Sequence, residues 1–180
     1  MRLFKREYNL SNADEIHQRT LHKNLEFTAL EQYKLLRANL EFTLPEGTKC
    51  PIIGVTSSIR GEGKSTTSIN LSFVLAEKGS RVLLIDGDLR LPSVAKKMGI
   101  ENAPGLTNML IGQCEKTLED FKSDILDTWY IMPSGVLPPN PSELIGSGRM
   151  QQRLNELASA YHWILLDLPP VTAVTDALVA

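Results

Sequence analysis

Residues 53–66, Ile-Gly-Val-Thr-Ser-Ser-Ile-Arg-Gly-Glu-Gly-Lys-Ser-Thr, constrain the fold more than any other stretch of the chain. They read as a buried strand running into a glycine-broken loop, after which Lys64-Ser65-Thr66 opens a helix. This is the architecture of a phosphate cradle. Backbone N–H groups of the loop and the helix N-terminus point at an anion, and the helix dipole adds favourable potential. In such a loop Lys64 reaches the β- and γ-phosphates and the Ser65 hydroxyl ligates Mg²⁺. The usual pattern opens on glycine. Here Ser58 stands six residues before Lys64, so the match is Ser58-x-x-x-x-Gly63-Lys64-Ser65, with Gly61, Glu62 and Thr66 completing the candidate segment.

The rest of the chain supplies the strands and helices such a loop requires. A helix is expected from about Glu26 to Phe42, with Leu30, Tyr33, Leu36 and Leu40 as its apolar stripe and Pro45-Glu46-Gly47 as its stop. Ile52–Thr56 reads as a strand, Lys64–Lys78 as a helix ended by Gly79, and Arg81–Asp86 as a second, apolar strand. Short helices are expected over Ser93–Met98, Leu106–Ile111 and Leu118–Asp124, then a strand over Trp129–Met132. Asn140-Pro141-Ser142-Glu143 reads as an N-cap, a proline at the first helical position and a capping box. The helix it opens runs to about Ala160 with Met150, Leu154, Leu157 and Tyr161 on one face, and His162–Asp167 is the last strand before Pro169-Pro170. Continuous apolar strands alternating with helices imply an α/β fold whose mostly parallel sheet is covered on both faces. Residues 1–24 are polar and weakly periodic. The expected division is therefore an N-terminal arm and helix over 1–48 and a nucleotide-binding domain over 49–180.

Two carboxylate runs fall where a parallel sheet places its ligands, at the carboxyl ends of strands. One is Val82-Leu-Leu-Ile-Asp86-Gly-Asp88-Leu-Arg90, the other Trp163-Ile-Leu-Leu-Asp167-Leu-Pro-Pro170. An apolar run ending in aspartate delivers a carboxylate from a buried strand to a Mg²⁺-nucleotide at its tip, and Mg²⁺ takes one or two protein carboxylates beside the phosphates. Any one of these aspartates could equally be a turn or cap residue. Their order after the phosphate loop is what points to ATP and Mg²⁺. A net charge of −2 gives no basic surplus for nucleic acid, and no run approaches the length of a membrane span. Cys50 and Cys114 are widely spaced and read as packing thiols of a reducing cytoplasm. No secretory signal is visible, and His17, His22 and His162 have no partners at metal spacing.

Asp86-x-Asp88-x-Arg90 after the phosphate loop, followed by an apolar-Asp-x-x-Pro strand, resembles the bacterial protein-tyrosine kinases of capsular and exopolysaccharide synthesis. Glu31-x-x-Lys34-x-x-Arg37 lies on the helix where that family carries Glu-x-x-Arg-x-x-Arg. Gly105-Leu-Thr107 and Gly135-x-x-Pro138-Pro-Asn-Pro141-x-Glu143-Leu144 also match its segments, and the resemblance covers about residues 26–180. The ParA/MinD-type ATPases share the fold but carry a second lysine before the central glycines, a region occupied here by Ile59 and Arg60.

The resemblance implies transfer of the γ-phosphoryl of ATP to tyrosines, in the family a cluster on the kinase's own tail phosphorylated between neighbours in a ring. By position, Lys64 and Ser65 hold phosphates and Mg²⁺, Asp88 and Asp167 complete the metal shell, and Asp86 is the candidate base or a water-mediated metal ligand. Arg90 either steadies a phosphate or forms an ordinary strand-end pair. Glu31, Lys34 and Arg37 are either the contact between ring neighbours or a solvated face with weak pairs; Lys34 lacks the planar fork of arginine. The resemblance further implies a membrane-spanning adaptor of the polysaccharide co-polymerase type, which would hold a cytoplasmic kinase at the inner membrane face. Family members continue with another strand, adenine-contacting segments and a tyrosine-rich tail, so a domain truncated at its C-terminus is expected. The alternatives from other classes are a non-catalytic interaction remnant and an ATPase switch of the ParA/MinD kind.

Overall fold

The computed structural model describes residues 25–114 and 117–171. The expected arm over 1–24, with Tyr8, His17 and His22, lies outside the described residues. Helix α1 (Phe27–Thr43) precedes strand β1 (Ile52–Val55), helix α2 (Lys64–Glu77) and strand β2 (Val82–Asp86). Helices α3 (Val94–Met98) and α4 (Leu106–Leu110) follow, then a 3-10 turn over Leu118–Phe121 and strand β3 (Trp129–Met132). Helices α5 (Pro141–Ile145) and α6 (Gly148–Ala158) lead into strand β4 (Trp163–Asp167).

The four strands form one parallel sheet in the order β1-β4-β2-β3. Successive strand side chains point to opposite faces, and this period divides the core in two. Leu83, Ile85, Tyr130, Met132, Ile164 and Leu166 pack with α4, α5 and α6. Val82, Leu84, Trp129, Ile131, Trp163 and Leu165 pack with α2 and α3. Because both faces are covered, β2, β3 and β4 are buried at every position, as their unbroken apolar runs require. Edge strand β1 alternates between exposed and half-buried.

Four local expectations are corrected. The helix expected from Asn140 to Ala160 breaks at Gly146-Ser147, where the Ser147 hydroxyl accepts the Met150 N–H at 3.2 Å and so caps a new helix. Asn140 makes no side-chain cap; its amide instead donates to the Glu143 carboxylate at 3.1 Å. Leu36 is 38% exposed and off the apolar stripe of α1. The contact seam runs through Leu30, Tyr33, Leu40 and Leu44, and its central position is taken by Arg37, whose Nη1 donates to the Val74 carbonyl of α2 at 2.6 Å. Leu36 is one residue, about 100° of helix, away from that seam. The segment expected as a helix over Leu118–Asp124 is a single 3-10 turn, after which Lys122 bridges Tyr130.

Candidate nucleotide-binding site

Strand register assembles the site. Asp86 at the end of β2 lies beside Asp167 at the end of β4, and Asp167 lies beside Val55 at the end of β1. The phosphate loop leaves β1 at this edge, so the loop and both carboxylate strand ends share the carboxyl rim of the sheet.

The loop path needs glycine at two points, Gly61 (φ +85°) and Gly63 (φ +88°). Gly63 precedes α2 and no side chain caps that helix. Its first-turn N–H groups are therefore left facing the loop, an anion-binding arrangement on a 14-residue helix. The Glu62 carboxylate accepts the N–H groups of Ser58 (2.9 Å) and Ile59 (3.2 Å), folding the loop's start onto its end.

Lys64 Nζ donates to Asp88 Oδ2 at 2.9 Å and lies 3.8 Å from Asp167 Oδ1. Asp167 is fully buried. Its Oδ1 accepts the Ser68 hydroxyl at 3.2 Å, Ser65 also hydrogen-bonds to its side chain, and its Oδ2 has no partner. The Ser93 hydroxyl donates to Ser65 Oγ at 2.8 Å. Asp86, also fully buried, is engaged by backbone: it accepts the N–H groups of Asp88 (3.2 Å), Ser93 (3.0 Å) and Val94 (3.0 Å). It thereby braces the turn that carries Asp88 and starts α3.

Burial pushes the Asp86 carboxyl up to about 7, the Asp167 charge adds to the rise, and the three backbone donors oppose it. Asp167 is also raised, by burial first, against the pull of Lys64 and the two serine hydroxyls. A carboxyl with a higher pKa folded than unfolded binds more protons when folded, so stability falls as pH rises between the two values. For Asp86 that window runs from 3.8 to about 7. Within it the nucleotide-free protein should lose up to about 1.4 kcal/mol per pH unit from this group. Urea midpoints should therefore fall as pH is raised toward neutrality, and Asp86→Ala should flatten the slope. A midpoint that climbs over the same range would contradict the arrangement.

The resulting cleft holds about 330 Å³ and is lined by Gly61, Gly63, Lys64, Ser65, Thr66, Asp88 and Arg90 among the residues expected from sequence. Ser58 and Glu62 shape the loop, and Asp86 and Asp167 stand behind the lining. Arg90 also donates to the Ser142 hydroxyl of α5 at 2.8 Å. Glu31, Lys34 and Arg37 do not converge: Glu31 and Lys34 pair at 3.0 Å on the surface, while Arg37 turns inward onto α2. Sequence reasoning missed Ser93, Leu91 and Lys97, which also line the cleft. They sit on the turn after Asp88 and on α3, and only the packing of α3 brings them to the loop. A second groove, of about 560 Å³, lies between the end of α3 and residues 120–125, away from the phosphate loop.

The donor set fits Mg²⁺. Ser65, Asp88 and Asp167 offer oxygens only, the preference of a hard cation, and Asp167 Oδ2 is a buried carboxylate oxygen lacking a donor. Among the described residues no three acidic, histidine or cysteine side chains form a closed metal cage. Two carboxylates and a hydroxyl are a partial shell of the kind that nucleotide phosphates complete.

The AAA domain family matches residues 50–179. The chain is 40% identical over 149 residues to the tyrosine-protein kinase YwqD of Bacillus subtilis, covering 82% of this chain and 61% of YwqD. It is 33% identical over 159 residues to the putative tyrosine-protein kinase CapB of Staphylococcus aureus, covering 88% and 69%. Among solved structures, the chimerical protein CapA2B2 superposes with a TM-score of 0.75 at 33% identity, over 83% of this chain and 65% of that one.

Proposed function

The chain belongs to the family of bacterial tyrosine-protein kinases, and from that premise we propose that it transfers the γ-phosphoryl group of ATP to protein tyrosines in the control of capsular or exopolysaccharide synthesis. The observation that carries this reading is the convergence of Lys64, Asp88 and Asp167 within 2.9–3.8 Å at the mouth of the phosphate loop.

Phosphoryl transfer asks for positioning and charge neutralisation more than for covalent chemistry. The uncapped first turn of α2 binds the phosphates through backbone N–H groups. Lys64 turns from Asp88 to the terminal phosphates, which frees that carboxylate. Ser65, Asp88 and Asp167 would hold Mg²⁺, which would supply neutralisation of phosphate charge. The three backbone bonds of Asp86 support a bracing role for that carboxylate. Arg90 links the cleft to α5 through Ser142, so it both lines the phosphate site and fixes its rim.

Among the described residues no helix is long and apolar enough to cross a membrane. The reading also includes, as the family resemblance implies, a membrane-spanning adaptor of the co-polymerase type that holds the kinase at the inner membrane face. The 1–48 segment would be its oligomerisation element, with the Glu31–Lys34 edge of α1 meeting a neighbouring copy in a ring. In a direct test the chain is incubated with Mg²⁺-ATP and a soluble Glu-Tyr copolymer, with and without the cytoplasmic tail peptide of such an adaptor. Phosphotyrosine should form, and the tail should increase it. Phosphate release without phosphotyrosine would instead identify an ATPase switch, and absence of nucleotide binding an interaction remnant.

A further inference from the structure

We propose that Ser93 is a positioning residue for Ser65, aiming the Ser65 hydroxyl oxygen at the Mg²⁺ site; the proposal rests on the nucleotide and metal reading above. Ser93 stands immediately before α3, where a serine ordinarily spends its hydroxyl on the N–H groups of the helix it caps. Here it makes no such cap. Its hydroxyl leaves its own helix and donates to Ser65 Oγ on α2 at 2.8 Å. The N–H groups of Ser93 and Val94 are held instead by Asp86 Oδ2, each at 3.0 Å. The buried carboxylate at the end of β2 therefore does two things. It satisfies the start of α3, and it fixes the Ser93 backbone where the hydroxyl can only reach across to the phosphate-loop helix.

What this does to Ser65 follows from the inventory of a hydroxyl, one hydrogen and two lone pairs. Ser65 is 5% exposed yet lines the cleft. Its hydroxyl also hydrogen-bonds to the Asp167 side chain, and an ionised carboxylate only accepts. The hydrogen is thus committed to Asp167 and one lone pair to Ser93. A single lone pair is left, on an oxygen held from two sides, and that is the pair a cation takes. Without Ser93 the oxygen keeps only its Asp167 anchor and can turn about it. Hydrogen bonds to a metal's ligands orient them in this way and tune affinity. The competing explanation is that the Ser93 hydroxyl merely staples α3 to α2. Ser93→Ala separates the two, because it keeps the backbone N–H that Asp86 holds and removes no helix cap.

The experiment measures ADP affinity of the intact chain, by competition with a fluorescent ADP analogue, in saturating Mg²⁺ and in excess chelator. Ser93→Ala should bind metal-free ADP like wild type, while the tightening that Mg²⁺ brings should fall about tenfold. Ser65→Ala should lose the same tightening, and adding Ser93→Ala to it should change nothing more, since no hydroxyl remains to be aimed. Wild-type tightening in Ser93→Ala would overturn the assignment. So would an equal loss with and without Mg²⁺, which would mark a direct phosphate contact, or a double variant weaker than Ser65→Ala, which would mark a staple. If wild type binds ADP without responding to Mg²⁺, or Ser65→Ala keeps the full response, the metal reading itself is overturned. A wild-type chain that does not bind ADP would overturn the nucleotide reading.

Discussion

Lys64→Met should lower phosphotransfer to a supplied tyrosine copolymer by about 10³-fold, the scale of losing a preorganised charge at a developing transition state. The same change has a second, separable effect. Lys64 is the cation that faces Asp88 and Asp167, with side-chain exposures of only 6% and 0%. Without it two buried carboxylates confront one another, and breaking such a cluster from one side costs roughly 3–5 kcal/mol when the remaining charge is retained. Asp167 is already raised by burial, and Lys64 is the first of the influences that hold it down. Its removal pushes the carboxyl higher still, so the variant should lose more stability at pH 8 than at pH 5. Adding Asp88→Asn to Lys64→Met should restore much of the stability while leaving activity absent. That pattern separates a chemical role from a structural one: phosphotyrosine formation within tenfold of wild type in the single variant would sink the catalytic assignment.

Gly105→Ala should destabilise the fold by roughly 3–5 kcal/mol, in the exceptional class reserved for a named steric or polar fault. The backbone at Gly105 is extended (φ −152°), so conformational freedom is not the reason. The reason is close approach. A Cβ there would meet the Pro133 carbonyl oxygen at 2.2 Å and the Gly135 nitrogen at 2.5 Å, both backbone atoms unable to swing away. The two segments are sewn together. Leu106 N–H donates to the Pro133 carbonyl and Thr107 N–H to the Ser134 carbonyl, each at 2.8 Å. Asn108 Oδ1 accepts the N–H groups of Gly105 (3.1 Å) and Val136 (3.2 Å). Separating them would lift α4, and with it the buried Leu106 and Leu110, from the core. Gly148, at the first position of α6, is the control: nothing lies within 4 Å of its added Cβ. Gly148→Ala should be neutral or stabilising by up to about 1 kcal/mol. Urea unfolding of the two variants beside wild type tests both, and a Gly105→Ala midpoint close to wild type would contradict the docking of these loops.

Much of this architecture was legible in the chain because it depends on neighbours in sequence. An apolar run such as Val82–Ile85, short and set between Gly79 and Gly87, reads as a strand buried on both faces, and the helix after Gly63 and the left-handed Gly61 and Gly63 follow from the loop's own residues. Asp86 and Asp167 could be placed at strand ends for the same local reason. The Gly105 segment could be noticed but not explained, since the atoms that exclude a side chain there belong to residues 133–135. The sequence implies too long a helix after Pro141 because an apolar face continues across Gly146-Ser147, and periodicity does not register a cap in its middle.

Tertiary structure decided the rest. The order β1-β4-β2-β3 sets Asp167 between the phosphate loop and Asp86, which turns three separate aspartates into one brace and two carboxylates facing Lys64. Packing of α1 on α2 drew Arg37 inward to a backbone carbonyl. The pinning of α3 carried Lys97, an unremarked member of a surface-like Lys-Lys pair, to the cleft. Local chemistry fixes which face of an element is apolar and where the chain must turn. Which charged side chains then meet depends on contacts across long loops, whose closure only the packed core can stabilise.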